Sequence, residues 1–473
     1  MRTSNTLPPL SDEFQQIELG DKRRVARTQR VADNAARLPS AGLPQQSATS
    51  ADLEGMYRWA NNPDIAPEAV LAGHQARTVE RAKAAQSVLV VHDTTSFRFG
   101  GEVERDGMGL ICNKDVLMGF FAHYSLCLSR RGEPLGTIGL HAWARGRDRK
   151  RVRMRQQARS DPDRESLRWH DAVDTTGELL AEVPEVVHVM DREGDGFELL
   201  ADMCEHGHRF VVRIAHDRRL QSKRLDRNVP KLYESLSVLP MLLEREVPLS
   251  RRGGPRKPAE PRRFGRLETR AAHLTIRAEA FTISPGNGSV YHLPDHLRLN
   301  FVEVVELQPP PDTDPVQWRL VTTEAIETPE QVAAVVDAYR ARWQIEEFFK
   351  ALKTGCNFEK LQLESARALT LTLTIYTAVA WRLLLLRWMD RNEPTAPAPR
   401  VLTATQLAAL TAVCARKGKP LPKKPTAHHV LTAIAELGGH IKNNGPPGWQ
   451  VLGRGFDQLL AIELGFLAAK ELV

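Results

Sequence analysis

The chain has 473 residues, 42 % hydrophobic and 26 % charged, enough for about two to four domains with sizeable cores. Its 65 Lys and Arg outnumber 58 Asp and Glu, a net charge of +7, which favours an anionic partner where the bases cluster. The five cysteines (Cys112, Cys127, Cys204, Cys356 and Cys414) are odd in number and lack metal-ligand spacing, which argues against a disulfide framework or structural zinc and for a reducing compartment.

Residues 1–80 read as helical, with turns at Gly20-Asp21, Pro39, Pro44 and Pro63. Arg23, Arg24 and Arg27 give one helix a strongly basic face. The apolar run Ser87–Asp93 reads as a buried strand that ends in a carboxylate. Residues 119–129 and 135–143 predict two more strands joined by a turn at Gly132. A helix near 164–180 follows, then the strand Val186–Asp191, again ending in a carboxylate. A helix near 197–204 and the strand Arg209–Ile214 complete an alternation that predicts an α/β fold: a mixed sheet with helices on its faces.

From about 230 to 322 the pattern becomes strand-like, as in 271–280 and 299–307, with Arg/Pro/Gly-rich loops: a β-rich insertion. Helix returns over 328–352 and again over 366–389. The most apolar segment, Leu369–Trp388, carries Arg382 and Arg387 and reads as a buried core helix rather than a membrane span. Residues 390–425 are rich in Pro and Lys and read as a mobile connection. A last helix is expected over 456–472. No apolar signal segment stands at the N-terminus, and a cytoplasmic chain is expected. The formal sequon Asn287-Gly-Ser289 has no meaning there.

Bases concentrate at 145–155, seven Arg/Lys against Asp148, and at 251–270, eight against Glu260 and Glu268. Two such runs in one basic chain make nucleic acid the leading partner, although each alone reads equally well as a solvated loop.

The chemistry gathers around Tyr339, Arg342, Glu346 and Lys353. At ~100° per helical residue they share an arc of roughly 60°, a carboxylate between cations on one stripe. Spacing alone does not separate Lys353 from Lys350, which also lies on the stripe. Tyr339 reads equally as a packed core residue, and Arg342 as a salt-bridge partner. Glu347 falls about 100° off the stripe and is expected to face solvent or a neighbouring base. Asp93 and Asp191, each expected at the C-terminal end of a strand, supply two further carboxylates where α/β sheets place their sites. Three carboxylates suit two hard divalent cations, and the cations of the stripe suit phosphate oxygens.

The tract Tyr-(2)-Arg-(3)-Glu-(6)-Lys, with Asp93-Thr-Thr, Asp191-Arg-Glu, Arg209-Phe-Val-Val-Arg213, Leu19–Arg24 and Gly465–Leu472, resembles bacterial DDE cut-and-paste transposases of the YREK class nearly end to end. The resemblance implies a ribonuclease H-like core (81–389) carrying the β-rich insertion. It adds a helical N-terminal DNA-binding domain (1–80) and a linker with a helical C-terminal dimerisation domain (390–473). Asp93, Asp191 and Glu346 would be the catalytic, metal-holding carboxylates, with two Mg²⁺ per site and Mn²⁺ able to substitute. The implied reaction is nicking of transposon ends, hairpin formation and opening, and strand transfer into target DNA by a homodimer in a synaptic complex. Trp318, 28 residues before Glu346, matches the family's base-stacking tryptophan. Arg342 and Lys353 would hold phosphates beside it, and Tyr339, Arg213, Arg23, Arg24 and Arg27 would complete the DNA contacts. The bland alternative for Trp318 is a core residue of the insertion. Two other readings are a non-catalytic DNA-binding relative and a two-carboxylate glycosidase.

Overall fold

The computed structural model describes residues 8–100, 105–111, 117–146, 164–221, 230–249, 270–285, 293–309, 315–441 and 447–471. Cys112, most of the basic run at 145–155, nearly all of that at 251–270, and the Asn287 sequon lie outside the described residues. In chain order the helices α1 (Lys22–Arg37), α2 (Leu43–Gln46), α3 (Ser50–Ala60) and α4 (Pro67–Ala85) precede the strands β1 (Ser87–Arg98), β2 (Gly109–Leu110), β3 (Met118–Ser129) and β4 (Pro134–Trp143). Next come α5 (Leu167–Leu179), β5 (Glu185–Met190), α6 (Phe197–Glu205), β6 (Arg209–Arg213), α7 (Leu232–Ser237), β7 (Leu243–Leu249), β8 (Arg270–Ile283), β9 (Leu297–Glu306) and β10 (Gln317–Thr322). The chain continues with α8 (Pro329–Ala341), α9 (Trp343–Lys350), a π turn (Ala351–Gly355), α10 (Ala366–Asn392), α11 (Ala404–Arg416), α12 (Ala427–Leu437) and α13 (Trp449–Glu471). This is the expected mixed α/β architecture.

The chain divides into two compact units: residues 1–151, 174–186 and 343–473 form the first, and 152–173 and 187–342 the second. In the first, β3 pairs antiparallel with β1 on one edge and with β4 and β2 on the other. One face of this sheet buries Val88, Val90, Cys127 and Ile138 against Ala82 of α4 and Leu180 and Val183 beyond α5. The long helix α10 begins at a Ser365 cap that accepts the Ala368 N–H. Its length and hydropathy would let it cross a membrane, but 83 % of its most apolar window is buried inside the protein, which fits a core helix.

A buried polar cluster ties the N-terminal helices to this sheet. Glu13, in the 3₁₀ turn Leu10–Phe14, binds Arg81 of α4 through both oxygens (2.8 and 3.0 Å) and His74 Nδ1 at 2.6 Å. His74 Nε2 accepts the Thr137 N–H of β4 at 3.0 Å, so Nδ1 carries the ring proton and donates to Glu13. Trp381 of α10 lies against both partners, its ring 4.2 Å from the Arg81 guanidinium and 5.3 Å from the His74 ring. Burial alone would raise Glu13, but the His74 and Arg81 bonds outweigh it and hold its carboxyl well below the usual range. Burial keeps His74 below its ordinary value, against the pull of Glu13 and with help from Arg81 and Arg382.

In the second unit β5 runs parallel to β6, and β6, β10, β9, β8 and β7 follow in antiparallel order, a mixed sheet. The helices α6 and α7 and the first half of α5 cover it through Trp169, Leu199, Met203, Leu232 and Leu236 on Phe210, Val212 and Phe301. A capping box of Thr328 and Gln331, with Pro329 in the first turn, starts α8.

Three details depart from the sequence reading. Asp93 does not end its strand: β1 runs on to Arg98 because Thr95 and Phe97 still pair with Ala122 and Phe120. The helix expected over 328–352 breaks at Arg342 and finishes in the π turn. Residues 390–425 contain α11, started by a Thr403–Gln406 capping box; that S/T-x-x-Q signal outweighs the surrounding prolines.

Both buried groups of the Glu13 cluster predict acid sensitivity. The unfolded chain protonates His74 below about pH 6.5 and the folded one does not, so stability is lost as pH falls through that value. Glu13, with its lowered folded value, contributes stability present above its unfolded value and lost below it. Thermal denaturation between pH 4 and 8 should show the melting temperature falling towards acid. Glu13→Gln should cost about 3–5 kcal/mol at neutral pH.

Candidate active site and DNA interface

The first unit carries Asp93, Glu346 and Lys353. Asp93 is half-buried in β1 opposite Tyr124 of β3, and its Oδ1 accepts the Thr94 N–H at 2.7 Å. Side chains alternate along a strand, so Asp93 shares its face with Val91, Thr95 and Phe97. That face is the one covered by the Glu346 helix. The fully buried Tyr124 ring meets Phe348 and Phe349 of α9 edge-on, with centroids at 5.2 and 5.7 Å. Further along, Lys353 Nζ stands 5.5 Å from the Phe97 ring. Burial lowers the Lys353 ammonium from its ordinary value, and Arg98 adds to this against Glu359.

On the opposite face of β1, beyond the apolar Val88 and Val90, the side chains are polar and bonded to β3. Thr94 Oγ1 lies 2.9 Å from His123 Nδ1, and His92 Nδ1 lies 3.0 Å from Ser125 Oγ. The two rings stack at 6.0 Å, and burial, helped by His123, holds His92 well below its usual value and therefore neutral.

Geometry separates the two lysines that spacing left equivalent. Lys350 bonds Glu347 at 2.9 Å and lies 5.0 Å from the Trp343 ring. Glu347 also takes Arg387 and the Trp449 Nε1–H; it meets neighbouring bases, one of the two options its off-stripe position offered. Burial pushes Glu347 up, but Lys350, Arg387 and Trp449 together bring it below the ordinary value.

The second unit carries Asp191, Trp318, Tyr339, Arg342 and Arg213. Asp191 directly follows β5, as expected, and its Oδ1 accepts the Glu193 N–H at 2.8 Å. Asp195, four residues on, is a structural carboxylate: buried, paired with Arg218 at 2.5 Å and bonded by the Ala215 and His216 N–H groups. Trp318 on β10 is half-buried, with its ring 5.5 Å from Tyr339 in a T-shaped contact. The Arg342 guanidinium lies 5.9 Å from the Tyr339 ring. Tyr339 is buried (5 % exposed), so the structure brings these three together with the tyrosine as the packed member. Arg213 donates to the Gln317 carbonyl at 3.1 Å, just before Trp318.

On α1, Arg23 reaches solvent, with 92 % of its side chain exposed, while pairing with Asp21 at 3.0 Å. Arg24 pairs with Asp64, and Arg27 with the buried Asp52 at 3.0 Å. Both are thus held by intramolecular pairs. Arg30, which the sequence reading passed over, extends the same face while pairing with Asp52 at 2.8 Å; its i+3 spacing from Arg27 was the available signal.

Among the described residues no three His, Cys, Asp or Glu side chains stand close enough together to hold a metal ion. Taken singly, Asp93, Asp191 and Glu346 each offer oxygen donors of the kind a hard cation takes, and in both aspartates a neighbouring backbone N–H fixes one oxygen.

A family model described as a transposase DDE domain matches residues 170–382, and one described as transposase DNA-binding matches residues 10–65. The chain thus carries a match to a transposase DDE domain and, before it, a match to a transposase DNA-binding domain. The first match spans Asp191, Trp318, Tyr339, Arg342, Glu346 and Lys353 but begins after Asp93; the second spans Arg23, Arg24 and Arg27. Among solved structures, the chain is similar to the piggyBac transposase in a synaptic complex with hairpin DNA, determined by cryo-electron microscopy. Identity is 11 % and the TM-score 0.29, over 66 % of this chain and 49 % of that one. The chain thus matches about half the length of that protein.

The half-buried, cation-flanked position of Lys353 predicts a trade between stability and function. Lys353→Met should leave the melting temperature unchanged or raised, because it removes a desolvated charge, while Lys350→Met should lower it by stripping a partner from Glu347. Equal losses in the two variants, measured by thermal denaturation, would count against this assignment.

Proposed function

We propose that this chain is a DDE cut-and-paste DNA transposase of the YREK class, built on a ribonuclease H-like core. Asp93, Asp191 and Glu346 are its catalytic carboxylates. The observation that carries the reading is the covering of the Asp93 face of β1 by the helix of Glu346, with Lys353 in the π turn that follows it. The Arg/Lys composition of the site favours phosphate over sugar as the substrate.

Residues 1–80 bind the terminal inverted repeats of double-stranded DNA, with Arg23 of the basic face in solvent and Arg24 and Arg27 close to it. The carboxylates hold two Mg²⁺, for which Mn²⁺ substitutes. When bound, such ions activate the attacking oxygen and stabilise the leaving oxygen of an in-line displacement. Arg342 and Lys353 neutralise non-bridging phosphate oxygens, and the desolvation of Lys353 strengthens its hold on an anion. The half-exposed Trp318 offers a ring to a base flipped out at the hairpin bend, a stack worth roughly 1–3 kcal/mol. Tyr339, beneath both Trp318 and Arg342, fixes their directions. Arg213 steadies the strand end that precedes Trp318, beside the path of the DNA. The order of events is nicking, hairpin closure, hairpin opening and attack on target DNA, in a homodimeric synaptic complex in the cytoplasm, at the nucleoid.

The test is a supercoiled plasmid bearing the inverted repeats that flank the coding region, incubated with Mg²⁺. Hairpin-ended fragments are expected with the native chain and none with Glu346→Gln. Binding without any cleavage by the native chain would sink the reading.

Trp318→Ala should slow hairpin closure by about 5- to 150-fold, the kinetic equivalent of the stacking energy, and leave the first nick near the native rate. Equal slowing of both steps in a single-turnover time course would refute the base-platform role.

A further inference from the structure

Glu347, next to Glu346 on α9, is a buried carboxylate (7 % exposed) that draws donors from three helices. Lys350 of its own helix lies at 2.9 Å, Arg387 of α10 at 3.4 Å, and the Nε1–H of Trp449, the first residue of α13, at 3.0 Å. The Arg387 guanidinium also stands 4.6 Å from the Trp449 ring. The same end of α13 reaches the π turn that bears Lys353: a Cβ on Gly453 would lie 3.0 Å from the Gly355 carbonyl oxygen. On its other side α13 is pressed against α12, where a Cβ on Gly455 would lie only 1.9 Å from the Ile434 carbonyl oxygen.

Such a cluster is an expensive way to fill a core. Well-packed apolar side chains of similar volume give equal or greater stability, whereas hydrogen bonds and ion pairs constrain direction. Direction is what the neighbouring residue needs. A roll of α9 by about 20° would swing a carboxylate roughly 6 Å from its axis through about 2 Å, and a misplacement of about 1 Å at a reacting centre costs on the order of 100-fold in rate. Arg387 and Trp449, donors from two other helices, leave α9 little freedom to roll.

We propose that Glu347, Arg387 and Trp449 form a positioning cluster through which the start of α13 sets the direction of Glu346 and the phase of Lys353. This rests on the catalytic role given to Glu346 above. It assigns residues 449–455 a task in their own chain's active site, separate from the subunit association expected of the C-terminal helix. None of the three positioning residues touches DNA or the reacting atoms; each acts through the backbone of α9 and the π turn.

The test uses the full chain with Trp449→Phe, which removes the N–H and keeps the ring, and Glu347→Gln, which keeps the volume. Leu459→Ala, in the buried part of α13 ten residues from Trp449, serves as the stability control. Amide hydrogen exchange without DNA or metal should quicken over 343–355 in both variants and stay unchanged over β1 and β3. The Mg²⁺ concentration for half-maximal end cleavage should rise roughly 10- to 100-fold, with end binding in chelator unaltered. Leu459→Ala should lower the melting temperature without moving the Mg²⁺ requirement. Native exchange over 343–355 in both variants overturns the proposal. So does faster exchange with a native Mg²⁺ requirement, or an equal shift in Leu459→Ala. A native chain that cuts no ends defeats the proposed function instead, and the exchange measurement still judges the cluster.

Discussion

The first unit depends on the pairing of Asp93 with Tyr124. The tyrosine fixes the register of β1 on β3, gives its ring to Phe348 and Phe349, and lies 3.3 Å from Thr377 of α10 through its hydroxyl. Burial pushes its phenol far above the usual value, so it stays a neutral packing element. A slip of one residue in this register would turn Asp93 to the face now held by His92 and His123. The apolar aromatic contacts and the placement of the carboxylate are therefore one constraint. The strand cannot present the aspartate to α9 without also presenting Tyr124 to the phenylalanines.

Much of this was legible in the chain, and the exceptions have physical causes. The apolar run Ser87–Val91 marked β1, and the Val186–Met190 run marked β5 with Asp191 just past its end. The continuation of β1 to Arg98 was hidden because Asp93, Thr94, Thr95 and Ser96 look like a turn. They are strand residues only because β3 supplies partners for each. The stripe from Tyr339 to Lys353 assumed a uniform helix. The break at Arg342 and the π turn at Ala351 come from packing at both ends of α9, which no local propensity announces. Spacing could not choose between Lys350 and Lys353. The choice lay in Glu347, whose other donors come from Arg387 and Trp449, 40 and 102 residues away.

The arginines of this basic chain serve two ends, and sequence does not tell them apart. Arg81, Arg209, Arg218 and Arg319 are held by Glu13, Glu324, Asp195 and Glu303 in planar pairings or short ion pairs. They fasten the 3₁₀ turn to α4, one loop to another, and the strands β6, β9 and β10 to their surroundings. Arg24 and Arg27 sit between the two classes: intramolecular pairs hold them on the face where Arg23 meets solvent. Counting positive charge therefore overstates the DNA-facing surface. What counts is guanidinium not already committed to a buried carboxylate.

The π turn gives the last part of the signature a meaning beyond the number of intervening residues. In a plain α-helix seven residues advance roughly 700°, two turns less about 20°. Of the five residues of wider winding before Cys356, Ala351 to Lys353 fall within that advance and lessen it, so the direction of Lys353 depends on how the turn winds as well as on its length. A deletion that relaxed this segment to ordinary helix would keep every side chain of the tract and yet turn the lysine away from Phe97. Protein engineers who graft or shorten this stretch should therefore conserve an angle, and treat the residue count only as the means of setting it.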